Sequence, residues 1–334
     1  EYSPDTSRSA LAIRRYSVMP LSNNSGVIGW VPECDTLQKL IKDYRESRNI
    51  PLDLEKRLIW GIPVADSDRN QRLDFDKLSL MQKVQVFGEA IDKTQGEDLA
   101  RMLWLRSQSS EVWLGRRTNY TRSLAVMCMA GYMLGLGDRH PSNLMIERNT
   151  GRVVHIDFGD CFEVAMDRSK YPEKVPFRLT RMLVNAMEVS GIEGTFRSTC
   201  RNVMKVLREN RDSLMAMLEA FVHDPLIGWK LISNSGEDQQ SEEHGTEAKT
   251  STIAPGAAVG KASDVPSAES PNGEIQEDQA VRITNKIQMK LNGKDFASRD
   301  GKPIEVGEQV DLLIKSAQSH ENLSQMFVGW CAFW

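Results

Sequence analysis

Between Ser123 and Asp160 the sequence changes character repeatedly, and that succession restricts the fold more than any other stretch. The run SLAVMCMAGYMLGLG, Ser123 to Gly137, carries no charge over about 15 residues. A bilayer span takes about 20 apolar residues, so this run is expected as a buried helix. Gly135 and Gly137 then permit a tight backbone path into DRHPSN. Two β-rich runs, NLMIER and RVVHIDFG, follow on either side of NTG and read as a hairpin. A hairpin returns the chain to the end it left. Asp138 and Asn143 before it, and Asp157 after it, are therefore expected to face one site.

Those residue types suit one chemistry. Phosphoryl transfer to a hydroxyl needs metal ions on the phosphates, a group that accepts the hydroxyl proton, and in-line positioning. Magnesium takes hard oxygen donors from one or two carboxylates or carbonyls, with waters and substrate phosphates completing its shell. Asn143 and Asp157 are donors of that kind, and Asp138 stands where the proton acceptor belongs. Protein kinases usually write this loop His-Arg-Asp, with an Asn five residues after the Asp. Here the three letters run backwards, Asp138-Arg139-His140, while Asn143 keeps the spacing. His140 has two open roles, donating to the transferring phosphoryl or orienting Asp138. Either motif alone is weak, because an Asp in a glycine-containing loop usually caps a helix or makes a turn. Their order, with a hairpin between them and an apolar helix before them, carries the reading. His155 is expected to be a structural, hydrogen-bonded histidine.

The rest of the chain supplies the frame. Residues 10 to 32 read as strand, turn, strand, with Tyr16 and Val18 two apart and VIGWVP ended by Pro32. Leu37, Leu40, Ile41 and Tyr44 recur at helical spacing, with Asp35 as the expected N-cap. Residues 51 to 76 lack a period and read as an inserted loop. LSLMQKVQVFGEAI is a further helix, and residues 177 to 231 are mostly helical, with NVMKVLRENRDSLMAMLEAFV as one amphipathic segment. From Ser233 to Ala280 there is no Trp, Tyr, Phe, Leu or Met, and ten acids face two lysines. Such a segment cannot bury enough apolar surface to offset its ordering entropy, so a disordered acidic linker is expected. Its GAAVGKAS only approaches a phosphate-binding loop: the glycines are one residue too close, Ala262 follows Lys261, and no strand precedes it. A short helix, 281–301, and a closing segment, 302–334, complete the division, with Val310, Leu313, Ile314 and Ala317 as a helical stripe.

Charge and cysteine usage exclude some classes. A net charge of -4 offers no basic field for nucleic acid. Five scattered cysteines, without a CxxC pair, argue against a zinc site or a disulfide framework and suit a reducing compartment. With no signal peptide and no membrane span, the expected location is cytoplasmic, with endomembrane surfaces second.

GDRHPSNLM, HIDFGDCFE and VPFRLTRML resemble the catalytic loop, metal loop and activation segment of the phosphatidylinositol 3-kinase-related protein kinases. RTNYTRSLAVM, FVHDPLIGWKL and the ending GWCAFW narrow the resemblance to the target of rapamycin branch, over about Leu11 to Trp334. The resemblance implies an α+β, protein-kinase-like fold: a remnant of the small lobe at 1–29, a large lobe at 30–232, and a FATC segment at the end. It implies Asp138 and His140 as catalytic, and Asn143 and Asp157 as magnesium ligands, with manganese as a substitute. ATP would place its adenine against Ile28, Gly29, Trp30 and Val31 of the hinge, with Met145 and Ile156 closing the pocket from below. Protein substrates, a β-propeller subunit bound at the 51–80 insertion, and large scaffold subunits are the partners it implies. For the aromatic tail, docking on the large lobe is favoured over peripheral contact with a membrane. Ser324 stands where relatives often carry Cys, so no disulfide with Cys331 is available.

Two departures and two rivals qualify this reading. No glycine-rich phosphate loop, strand lysine or paired Glu precedes Leu11, and the rapamycin-binding bundle is missing, so this piece alone is expected to have negligible activity. A phosphoinositide lipid kinase shares the reversed loop, but would need clustered basic residues in the activation segment. Here Arg168, Lys170 and Lys174 are interleaved with Asp167 and Glu173. The second rival is a non-catalytic scaffold that binds partners through the large lobe.

Overall fold

The computed structural model describes residues 11–22, 25–61, 75–222, 272–296 and 302–334. Strands β1 (Val18–Ser22) and β2 (Ser25–Ile28) pair antiparallel, with Val18 opposite Ile28, and are exposed along their length. The expected strand-turn-strand is thus present, although its turn residues Asn23 and Asn24 lie outside the described residues. After β2 the chain crosses to β3 (Cys34–Thr36), which runs straight into α1 (Leu37–Ser47). Asp35 does not cap this helix. Thr36 does, its side chain accepting from Lys39 N at 3.2 Å. Asp35 sits one residue too early, in the strand, where Arg148 binds it through two nitrogens and holds its carboxyl well below the usual carboxylate range.

The supposed loop at 51–76 contains α2 (Leu54–Gly61) and a 3₁₀ turn at Phe75–Lys77, while residues 62–74 lie outside the description. The helix escapes a periodicity search because it buries a carboxylate: Glu55 is fully buried, bridged by Arg45 through two nitrogens. Then come α3 (Leu80–Asp92), opened by a reciprocal Ser79–Gln82 capping box, and α4 (Asp98–Leu105).

Helix α5 (Ser110–Leu134) is the axis of the molecule. Its first turns are polar and half exposed, whereas from Tyr120 to Met133 nearly every residue is buried. A helix apolar all round must be covered all round; α4, the hairpin and the later helices cover it. The hairpin is β4 (Leu144–Glu147) and β5 (Val153–His155), with Met145 opposite Val154, and β3 completes a three-stranded sheet in the order β3-β4-β5. Ser123 Oγ on α5 accepts the Val153 amide at 2.8 Å, which sets the hairpin on the axis helix.

Beyond the hairpin lie α6 (Arg181–Asn185), α7 (Arg197–Glu209) and α8 (Arg211–Val222). The single amphipathic segment expected at 202–222 is two helices, because the backbone leaves helical angles at Asn210, φ -103 and ψ 22. The acidic segment falls outside the described residues as far as 271. Its last part, 272–280, already belongs to α9 (Asn272–Leu291), so this helix starts earlier than composition suggested. Helices α10 (Val306–Ala317) and α11 (His320–Leu323) lead to the tail, with Val310, Leu313, Ile314 and Ala317 buried as the stripe requires.

Every residue from Trp330 to Trp334 is buried, so the tail packs on the body of the fold as the docking reading expects. Arg178 donates to the Trp330 and Cys331 carbonyls at 2.6 and 2.8 Å and stacks under the Trp330 ring, and Arg181 donates to the Phe333 carbonyl. Cys331 is a free thiol, as the missing partner at Ser324 requires.

Candidate active site

The loop between α5 and β4 is built by hydrogen bonds to its own backbone. Gly135 ends α5 at φ +59, and its carbonyl accepts the Glu163 amide at 2.8 Å. Gly137 N–H donates to Asp160 O, so the loop and the segment after the metal motif run side by side. On the other flank the first turn of α1 meets the loop, Gln38 N–H donating to Pro141 O at 3.0 Å. Asp138 itself has φ +55, a left-handed angle that Asp tolerates better than most residues.

Three predicted residues converge here. Asn143 Nδ2 donates to the Asp138 carbonyl at 2.9 Å and reaches its Oδ2 at 3.4 Å. His140 Nε2 lies 3.9 Å from Asp138 Oδ2, while Nδ1 accepts the Ser142 amide at 3.2 Å. An Nδ1 that accepts places the proton of the neutral ring on Nε2. His140 thus presents an Nε2–H donor toward the Asp138 carboxylate side, which suits both roles the sequence left open. Asp138 and His140 are each about one-third exposed.

Asp157 is brought alongside by a residue the sequence reading passed over. Arg139, 2% exposed, donates through Nε to Gly137 O at 2.7 Å, through Nη1 to Ile156 O at 2.8 Å, and through Nη2 to Asp157 O. It stitches the catalytic loop to the metal loop, and burial lowers its pKa from the usual guanidinium value. Ile156 N–H adds a bond to Asn143 O at 3.1 Å. Asp157 is exposed and, like Asp138, left-handed, at φ +59. The only sequence signal for Arg139 was its position as the middle letter of a motif.

A metal at this site suits the donors present. Asn143 spends its amide nitrogen on Asp138, which leaves the Oδ1 carbonyl as its donor, and Asp157 adds a carboxylate. One carbonyl and one carboxylate match a magnesium shell completed by phosphates and waters. Among the described residues no group of three or more His, Cys, Asp or Glu forms a metal cage, so a cation here would need the substrate's own oxygens.

The residues expected to face a nucleotide divide. Val31, Met145 and Ile156 meet in one apolar patch with Cys34, Val154 and Tyr16. Ile28 and Trp30 are 69% and 89% exposed and take no part in it, so the flat surface expected of Trp30 is open rather than packed. Gly29 N–H donates to Ser17 O at 2.7 Å, and a Cβ on Gly29 would lie 3.2 Å from Ser17 Oγ.

Two further residues depart from expectation. His155 is buried, but neither ring nitrogen has a hydrogen-bond partner, and burial with the nearby Arg139 charge lowers its pKa to about 3. It is a neutral packing residue. Glu173 reads in sequence as one charge of an exposed, mixed run, yet it is 6% exposed and accepts the Asp138 amide on both oxygens.

A reversed catalytic loop joined through a short hairpin to an Asp-Phe-Gly loop, on a mostly helical fold, defines a class, and the family model for phosphatidylinositol 3- and 4-kinases matches residues 2–231. The chain belongs to that family, and residues 303–334 match the FATC domain. Within it, the chain is similar to target of rapamycin kinases from many organisms. It is 50% identical to serine/threonine-protein kinase mTor of Drosophila melanogaster over 99% of its length, and 51% identical to serine/threonine-protein kinase TOR2 of Saccharomyces cerevisiae over 98%. It spans 14% and 13% of those two proteins. The solved FAT and kinase domain of CtTel1 shares the fold over 100% of this chain and 20% of that one, with a TM-score of 0.72 and 26% identity.

Proposed function

We propose that this chain is the large lobe, linker and FATC segment of a serine/threonine protein kinase of the TOR type, which transfers the ATP γ-phosphoryl to protein hydroxyls and controls growth in response to nutrients. The observation that carries the reading is the convergence of Asp138, His140, Asn143 and Asp157 on one end of the β4–β5 hairpin, pinned by Arg139. Asp138 accepts the proton of the substrate hydroxyl. His140 Nε2–H faces the charge that develops on the transferring oxygens. Asn143 and Asp157 hold Mg2+, or Mn2+ in its place, and the metal neutralises phosphate charge when bound. Val31, Met145 and Ile156 pack the adenine, with the backbone from Ile28 to Trp30 as its edge.

In the same reading the small lobe ends at residue 29, the large lobe runs from 30 to 232, the acidic linker and a helix follow, and FATC fills 302–334. The β-propeller subunit sits on the insertion that includes α2, and large scaffold subunits complete the complex. Among the described residues no helix is long and apolar enough to cross a membrane; the location that goes with this reading is the cytoplasm, with endomembrane surfaces second.

A lipid substrate is the alternative, and the activation segment argues against it. Arg168 is paired with Asp160, and Lys170 and Lys174 stand apart with Glu173 turned inward between them, so the segment does not gather free cations for a polyanionic headgroup. The test is radiolabelled ATP with the full-length protein, offered a protein substrate and phosphoinositide vesicles in parallel. Label on serine or threonine is expected; turnover of lipid alone would contradict the proposal.

A further inference from the structure

Residues 166–174 of the activation segment lie largely at the surface, with Asp167, Lys170 and Lys174 exposed. Glu173 breaks that pattern. Its own amide is fixed by Ala165 O at 2.9 Å, and its carboxylate turns inward to take the Asp138 N–H at 3.0 and 3.1 Å. Gly137 makes the approach feasible, because a Cβ there would fall 2.2 Å from Ala165 Cβ and 3.5 Å from Glu173 Oε2.

Asp138 needs such support. Its left-handed φ of +55 is sparsely populated outside glycine and persists only where the surroundings over-determine it. The bonds around it do so from both ends: Glu173 holds the N–H of Asp138, and Asn143 Nδ2 holds its carbonyl at 2.9 Å. The two peptide planes that set the direction of the Asp138 side chain are therefore each tied to another part of the site.

The carboxylate is kept there against its own preference. Burial pushes the Glu173 carboxyl up to about 7; the Asp138 amide pulls it back, the Asp138 and Asp160 charges push it further, and Arg168 opposes them. A group held in a position that penalises its charge, beside a candidate catalytic residue, is a mark of function more often than of stability.

We infer that Glu173 is a positioning residue, which couples the activation segment to the proton acceptor by fixing the peptide that aims the Asp138 carboxylate. The inference rests on Asp138 being that acceptor. It goes beyond the motif residues, because Glu173 touches neither metal ligand nor nucleotide and acts only through Asp138.

The test uses the full-length protein with a protein substrate, comparing Glu173→Ala, Glu173→Gln and Asp138→Ala, each with a melting curve. Glu173→Ala is expected to lower kcat about 30-fold with KM for ATP within about two-fold, since the loss is one of aim rather than of nucleotide binding. Glu173→Gln keeps an acceptor oxygen at the same reach and should recover kcat to within about five-fold of wild type. If the Ala variant fails to fold, Glu173→Met, equal in length but without a strong acceptor, takes its place. Wild-type kcat in Glu173→Ala, or a Gln variant as impaired as Ala at equal melting temperature, would overturn the inference while leaving the Asp138 assignment intact. Full activity in Asp138→Ala would overturn both.

Discussion

Gly135, Asp138 and Asp157 all adopt left-handed backbone angles within the loops that meet at the candidate site. Gly135 adopts them freely, but for Asp138 and Asp157 they cost of order 1–3 kcal/mol each and mark places where the neighbourhood dictates the backbone. Gly137 shows how tightly that neighbourhood is packed. Gly137→Ala should displace the activation segment, lowering stability by about 1–3 kcal/mol and kcat at least about ten-fold; a denaturant titration and an activity assay check both. Glu173 makes a pH prediction. Its carboxyl titrates near 4.5 when free and at about 7 in the fold. Between those values the native state keeps a proton that the unfolded chain has released, so rising pH across that window lowers stability. Facing it are Asp138, Asp160 and Arg168, with Glu163 and Lys290 lining the same small cavity. Glu173→Gln should remove the slope and be more stable than wild type at pH 8 by up to about 3 kcal/mol, the difference vanishing near pH 4.5. At this scale the spacing of Asp138, Asn143 and Asp157 was readable, because a turn and a hairpin are local. The parts played by Arg139, His155 and Glu173 were not, since each depends on which buried carbonyl, amide or apolar face the fold brings to it.

Among the elements, α5 and the tail do most to hold the site still. The axis helix ends at Gly135, directly before the loop, and Tyr120 on its buried face donates to Leu183 O at 3.0 Å, tying it to α6. Arg178, just before α6, binds both the Arg139 carbonyl and the tail carbonyls of Trp330 and Cys331. Arg178→Ala should leave those tail carbonyls without their donor and lower stability by about 3 kcal/mol, seen as faster proteolysis of the C-terminal segment and a lower melting temperature. Helices with an apolar stripe, such as α1, α3 and α10, were legible from their period, and so was the hairpin. The helix at 54–61 was not, because Glu55 occupies the position where a periodic reading expects an apolar residue. The cap of α1 was misplaced by one residue for a similar reason: Asp35 is a good capping residue by type, but Arg148, just past the neighbouring strand, claims it.

At the scale of the whole molecule, three segments distant in sequence form one body. Lys290 on α9 bridges to Glu163 at 2.6 Å and donates to Tyr132 O at 2.8 Å, placing the helix after the linker against the segment that follows the metal loop. Composition located the acidic stretch but not where order resumes, since a helix whose first turns are polar looks like the linker before it. The succession of helix, loop, hairpin and loop was legible from the residues, whereas the class of fold came from the resemblance carried by GDRHPSNLM and HIDFGDCFE. The central claim is that this loop, with its histidine on the unfamiliar side, is a phosphoryl-transfer centre. It is tested most directly by single-turnover transfer from γ-labelled ATP in the full-length protein carrying Asp138→Ala or Asp157→Ala. Each is expected to lose at least about 10³-fold in rate while its melting temperature stays within about 3 °C of wild type. Rates unchanged in both would contradict the account.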